Sequence, residues 1–328
     1  MRTAPRVAAA HWFCYRGRTA MKGIEPPRHA PPSRALPLLA VWGTVLFWGL
    51  SFVSSKTILN SGVPPMTMVC IRFVIATVVL NVLLKRFDPT ARLRKADVLP
   101  LLASGLFGVT VYFFFEARGI KLTSASHASM IIAVIPVVTL VAEAILFRTR
   151  ITALTGVGIA LSVLGVVAVV WRPGQSPGGG SLLGDLFMFG ACICWVIYIV
   201  LSKNLHQRLS ELAITAYQSV FGTAFLVPLA LLEMRQWVPI TLTAGLNLVY
   251  LALFCSALSN FLYVYALSAL GPIAVSPYVN LIPVVGVVGG VVLLGESIAW
   301  TQVLGGVVIL AGVLLVSWRR PGAQPIEG

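Results

Sequence analysis

The chain has 328 residues, 58% of them hydrophobic and only 10% charged, with a mean hydropathy of +0.92. That balance excludes a water-soluble domain, whose core cannot use so much apolar surface. The net charge of +14 would by itself suit a nucleic-acid binder, but its distribution along the chain argues otherwise.

Residues 1–34 hold seven basic residues and five prolines, with no apolar run long enough for a signal-peptide core. They read as a disordered basic cytoplasmic tail, with Met21 as an alternative start to Met1. Ten apolar stretches follow, at 36–56, 65–85, 98–117, 125–147, 152–171, 182–202, 212–232, 246–267, 273–294 and 300–318. Each is close to the roughly 20 residues that cross a bilayer. Unpaired backbone groups are costly in lipid, so these stretches should be helices. The expected fold is therefore an all-α membrane protein of ten transmembrane helices, ending in a short cytoplasmic tail at 319–328.

With the N-terminus inside, 18 Lys and Arg fall on the cytoplasmic side: seven before the first span, five from Lys85 to Lys95, then Arg148, Arg150, Lys203, Arg208, Arg319 and Arg320. Five fall outside, at Lys56, Arg118, Lys121, Arg172 and Arg235, and Arg72 alone lies within a span. This is the positive-inside asymmetry. It places both termini in the cytoplasm of a bacterial-type plasma (inner) membrane and accounts for the charge without nucleic acid. Cys70, Cys192, Cys194 and Cys255 sit in apolar spans as small hydrophobes, so no disulfide is expected. No spacing suggests a metal site or a cofactor.

The sequence also repeats itself at an offset of 147 residues. Trp48 pairs with Trp195, Gly43 with Gly190, Lys56 with Lys203, Ile135–Val138 with Ile282–Val285, Gly158 with Gly305, Gly165 with Gly312 and Trp171 with Trp318. Tryptophan is scarce, with eight in the chain, so four in register is weighty. Each copy, 36–171 and 182–318, holds five spans. An odd number sends the second copy into the membrane from the opposite side, so the repeat is inverted, an architecture characteristic of transporters.

Several landmarks carry a family resemblance. They are Trp48-Gly49 to Lys56, Pro64-Pro65 ahead of Arg72-Phe73, Thr123 to Ser126 ahead of Pro136, Gly184-Asp185 ahead of Trp195 and Tyr198, and Leu294-Gly295-Glu296 ahead of Gly305 and Gly312. In order, spacing and duplication the chain resembles the drug/metabolite transporter superfamily, in its ten-span EamA-domain branch, over residues 36–318. One departure is visible: Arg148-Thr149 stands where the second copy has Gly295-Glu296. The resemblance implies movement of small solutes such as amino acids, drugs or nucleotide-linked sugars, with export favoured over uptake. It leaves proton coupling and substrate exchange both open, as well as oligomeric state.

Candidate site residues follow from helical spacing. Thr44, Trp48, Ser51 and Ser55 form one stripe, matched by Trp195, Tyr198 and Ser202; Ser256, Asn260 and Tyr263 form another, as do Ser276 and Asn280. Polar groups in lipid face another helix or a water-filled cavity. Trp48, Ser51, Arg72, Trp195, Tyr198, Asn260 and Asn280 are read as substrate-binding, and Pro136 and Pro283 as hinges or static bends. Arg72 lies about 10 Å into its span, too deep to snorkel freely, and Glu116 is its available opposite charge. The pair reads as a structural ion pair or as a substrate or coupling site. Glu143 and His127 sit near span ends. Catalytic readings are thin: Gly49-Leu50-Ser51 is followed by Phe52 rather than the Gly of intramembrane serine proteases, and Gly184-Asp185 lacks a second intramembrane Asp. An intramembrane enzyme and a non-transporting accessory protein remain the alternatives.

Overall fold

A computed structural model describes residues 35–147, 151–171, 181–205 and 208–317. The tails at 1–34 and 319–328 lie outside it, as do Arg148, Arg150, Arg172 and the side chains of Glu143 and Ser276. The helices in chain order are α1 (Ala35–Asn60), α2 (Pro65–Phe87), α3 (Lys95–Leu122), α4 (Ala125–Ile132 and Ile135–Phe147), α5 (Ala153–Val170), α6 (Leu182–Ser202), α7 (Glu211–Leu232), α8 (Leu242–Leu270), α9 (Pro272–Val279 and Ile282–Leu294) and α10 (Trp300–Ser317). No strand occurs among the described residues. Nine of these helices are long and apolar enough to cross a bilayer, and Trp300–Val316 is a shorter apolar helix.

Local chemistry sets the helix starts. Ser124, Thr152, Ser181, Ser210 and Thr241 each accept a hydrogen bond from the backbone N–H three residues on, at the N-termini of α4 to α8. Such caps contribute about 1 kcal/mol each. Proline sets the interruptions. The first half of α4 ends at Ile132 and the first half of α9 at Val279, four residues before Pro136 and Pro283 respectively. A proline cannot donate to the carbonyl four residues back and its ring collides with it, so each helix breaks there. The two breaks are 147 residues apart.

A second irregularity is also duplicated. Leu106–Val111 in α3 and Leu251–Leu258 in α8 are π-helical, overlapping under the same offset. Widened turns of this kind leave carbonyls open to partners outside the helix.

The packing maps onto itself when the copies are exchanged. α1 packs on α8 and α9, as α6 packs on α3 and α4, while α2–α7, α4–α9 and α5–α10 pair across the exchange. Glycines set the closest of these contacts. A Cβ on Gly165 would stand 2.7 Å from the Gly305 carbonyl oxygen, and one on Gly158 would stand 2.8 Å from that of Gly312. Because Gly305 and Gly312 are the repeat mates of Gly158 and Gly165, the two contacts are images of each other. Small residues let membrane helices approach to backbone contact, where dispersion replaces the missing hydrophobic drive.

Candidate functional site

Where the halves meet, the bundle lines a partly open cavity of about 270 Å³. Trp48, Ser51, Arg72, Glu116, Pro136, Trp195, Tyr198, Asn260, Asn280 and Pro283 all line it. Its walls are built largely from repeat mates facing one another: Trp48 and Trp195, Ser51 and Tyr198, Arg72 and Ser219, Val109 and Ser256, Phe113 and Asn260, Ala133 and Asn280, Pro136 and Pro283. The positions are symmetric but the chemistry is not. The first copy supplies both charges, Arg72 and Glu116, whereas the second supplies neutral polar groups.

Arg72 is 6% exposed. A charge at mid-membrane costs at least ~2.5–3.5 kcal/mol, which local contacts offset. Its Nε donates to Ser256 Oγ at 2.8 Å, and its guanidinium carbon lies 4.7 Å from the Phe113 ring centre. The terminal guanidinium nitrogens donate to no protein group among the described residues. A direct ion pair with Glu116 is not formed in this conformation. Glu116 instead accepts from the Tyr112 hydroxyl, one turn earlier on α3, at 3.0 Å. Asn280, in the break of α9, has a buried Nδ2 without a partner among the described residues. The Trp195 indole lies between the Tyr112 and Tyr198 rings in tilted contacts, with centroids at 5.2 and 5.1 Å. The groups left over are thus mainly donors, suited to an acceptor-rich group such as a carboxylate.

The stripes divide. Trp48 and Ser51 face the cavity, but Thr44 donates to Ser259 O at 3.3 Å and Ser55 is 2% exposed, so both ends of that stripe pack against helices. Ser202 accepts from Gln218 Nε2 at 2.9 Å. Sequence reasoning missed the α7 wall of Thr215, Gln218 and Ser219, and Leu310 and Val313 of α10. A signal existed for α7: Thr215, Gln218, Ser219 and Gly222 fall on one helical face, and Ser219 is the repeat mate of Arg72.

The α3–α4 link is held at both helix ends by opposite charges. Lys56 Nζ donates to the carbonyls of Ile120 and Lys121 at 3.0 and 3.2 Å, at the C-terminus of α3. Glu296 accepts from Ala125 N, Ser126 N and Ser126 Oγ at 2.7, 2.9 and 2.6 Å, at the N-terminus of α4. Each charge opposes the helix dipole it meets. Gly295 makes the second contact available: with φ +66° it ends α9 in a left-handed turn that L side chains resist. Alongside, His127 Nε2 lies 3.2 Å from Asp185 Oδ1, while its Nδ1 meets Gln302 Nε2 at 3.2 Å. His127, near a span end, is therefore tied to its neighbours and does not line the cavity. We predict that Glu296→Gln, which turns one acceptor into a donor facing N–H groups, removes about 1–2 kcal/mol after allowing for its partial exposure. A lowered thermal midpoint of the detergent-solubilised protein is the expected result, and an unchanged midpoint would show that the carboxylate contributes nothing.

These features define a class: a multi-pass helical membrane protein whose two like halves line a solute-sized cavity. The sequence model of the EamA-like transporter family matches residues 35–171 and again 182–318, and the chain belongs to that family. It is 28% identical to an uncharacterized transporter of Archaeoglobus fulgidus over 84% of this chain and 97% of that protein. It is 27% identical to a probable terminal-alkyne amino-acid exporter of Streptantibioticus cattleyicolor over 87% of this chain and 95% of that protein. A solved structure, titled only as the crystal structure of a protein, shares the fold with a TM-score of 0.61 at 18% identity, covering 86% of this chain and 96% of its own.

Proposed function

We propose that this membrane transporter carries a small carboxylate-bearing or zwitterionic metabolite, of the amino-acid class, out of the cell by alternating access. The observation that carries the reading is the set of unpartnered donors on the cavity wall: the Arg72 terminal nitrogens and Asn280 Nδ2, with the Glu116 carboxylate nearby to take an ammonium group. Aromatic rings at Trp48, Phe113, Trp195 and Tyr198 suit an apolar side chain. The volume, about 270 Å³, lies just below the ~300–1,000 Å³ typical of small-molecule sites. The name of the Streptantibioticus relative, a probable terminal-alkyne amino-acid exporter, agrees in substrate class and direction.

The protein resides, on this reading, in a plasma or inner membrane with both termini cytoplasmic, as the 18-to-5 split of basic residues argues. Leu80, Thr215, Asn260 and Val313 then place the cavity's reach toward the cytoplasmic halves of their helices, while Lys56 and Glu296 hold the outer end. Pro136 and Pro283 act as the paired hinges. Proton coupling through Glu116 and exchange of one solute for another are both compatible with this wall.

The test is cysteine labelling in right-side-out and inverted vesicles. Asn260→Cys and Asn280→Cys are expected to react with a small polar thiol reagent, with substrate slowing the reaction. A reporter cysteine at exposed Ser297 should label only from outside. Inert cavity positions alongside a reactive Ser297→Cys would remove the cavity from the transport path, and labelling of Ser297→Cys only in inverted vesicles would reverse the orientation. Liposomes containing the purified protein should show saturable amino-acid flux without chemical change; product formation would indicate an enzyme.

A further inference from the structure

Trp48 and Trp195 are repeat mates, both line the cavity, and they are in different states. Trp48 Nε1 donates to the Cys255 carbonyl oxygen at 3.0 Å, a carbonyl within the π-helical segment of α8. The same junction is closed by Cys255 Sγ donating to Phe47 O at 3.1 Å and Tyr250 Oη donating to it at 3.3 Å. The repeat mate of Cys255 is Gly108, within the π-helical segment of α3, which packs against α6. Yet Trp195 Nε1 donates to no group among the described residues, Gly108 O included. The Tyr198 ring instead lies on Gly108, so closely that a Cβ there would fall 2.8 Å from Tyr198 Cγ. The clasp between α1 and α8 is closed, and its image between α6 and α3 is open.

We infer that the two indoles exchange roles during transport: in the opposite-facing conformation Trp195 Nε1 closes on the Gly108 carbonyl and Trp48 Nε1 releases that of Cys255. This deepens the alternating-access reading and rests on it. Two like halves reach the opposite-facing state by trading conformations, so an interaction present in one half is formed in the other after the switch. The π-helical carbonyls are what make the trade cheap, because each can stand open or accept an outside donor without breaking a regular helical bond. In both conformations one indole N–H remains in the cavity for an acceptor on the solute, such as a carboxylate oxygen. The donor offered to the solute thereby passes from the second repeat to the first as access changes sides.

The signs of two conservative substitutions are opposite. Trp48→Phe removes a bond made only in the conformation described here and leaves the Cys255 carbonyl unmet, so the equilibrium shifts away from this conformation by about fivefold, the worth of one partly buried hydrogen bond. Trp195→Phe removes the bond made only in the other conformation and shifts the ratio toward this one by a similar factor. The double variant returns close to the starting ratio. The measurement is a pulsed electron–electron distance experiment between spin labels at exposed link positions Ser61 and Ser297, on the full chain in lipid nanodiscs, reading the ratio of the two distance populations. Two populations that move in opposite directions establish the exchange. Two populations that stay put, or move the same way in both variants, overturn it while leaving alternating access intact. A single distance population in the unsubstituted protein, with and without added amino acids, overturns both. Thermal midpoints check that each variant is folded, and should Trp48→Phe fail to fold, the sign of the Trp195→Phe shift alone decides.

Discussion

Arg72→Gln is expected to lower the transport rate by about 10- to 100-fold, the largest single effect on function. The substitution removes the positive charge and the free edge of the guanidinium, and a charge-assisted hydrogen bond is worth ~1.5–3 kcal/mol. Ser256 Oγ loses its partner as well, and Phe113 loses the cation resting on its face. Arg72→Lys tests the planar fork separately: it keeps the charge but cannot bind a carboxylate in bidentate fashion, so an intermediate rate is expected. The companion variant is Arg72→Gln with Glu116→Gln, with flux into liposomes and yield of folded protein both measured. A wild-type rate for correctly inserted Arg72→Gln would exclude a role in transport. Failure of the single variant to fold, with recovery in the double, would assign the two charges a structural role through the field they share. The Tyr112 hydroxyl on Glu116 already argues that the carboxylate is held independently of Arg72.

The largest effect on stability is expected at the α5–α10 contact. Gly165→Leu should cost on the order of 3 kcal/mol, because the new side chain meets backbone rather than a side chain that can swing away. Its Cβ alone would stand 2.7 Å from both Gly305 O and Ile309 N, so the helices must separate along their shared length. The matched control is Gly156→Leu on the same helix, where a Cβ meets nothing within 4 Å. There, replacing glycine should be neutral or favourable, since leucine is the better helix former by ~0.8 kcal/mol. Thermal unfolding of both variants in detergent provides the comparison. Equal midpoints would mean that the close approach of α5 and α10 is not what holds the halves together. Gly305→Leu should resemble Gly165→Leu, since the two positions face one another across the pseudo-symmetric contact.

The ten apolar helices, the 147-residue duplication and the inversion that follows from five spans per copy were all legible in the sequence, for one reason: lipid punishes unpaired backbone and buried charge so strongly that the length and hydropathy of each span are written locally. The helix breaks before Pro136 and Pro283 were legible on similar grounds, as properties of the proline ring. What sequence could not decide was the direction in which each polar stripe points. Thr44, Trp48, Ser51 and Ser55 share a helix face, but in a membrane both a neighbouring helix and a wet cavity welcome hydroxyls, so the periodicity marks a polar face without naming its partner. Only tertiary packing turned Trp48 and Ser51 to the cavity, buried Thr44 and Ser55 between helices, and brought Thr215, Gln218 and Ser219 into the wall. The Glu296 contact with the start of α4 spans 171 positions to Ala125, and no local pattern encodes such a separation. The same holds for Arg72, whose depth was readable but whose partners were not. The opposite charge available at its depth in the membrane was Glu116, whereas the folded chain gave Glu116 to Tyr112 and Arg72 to Ser256, because a short hydrogen bond from a group already in place outcompetes an ion pair that must be reached across a cavity.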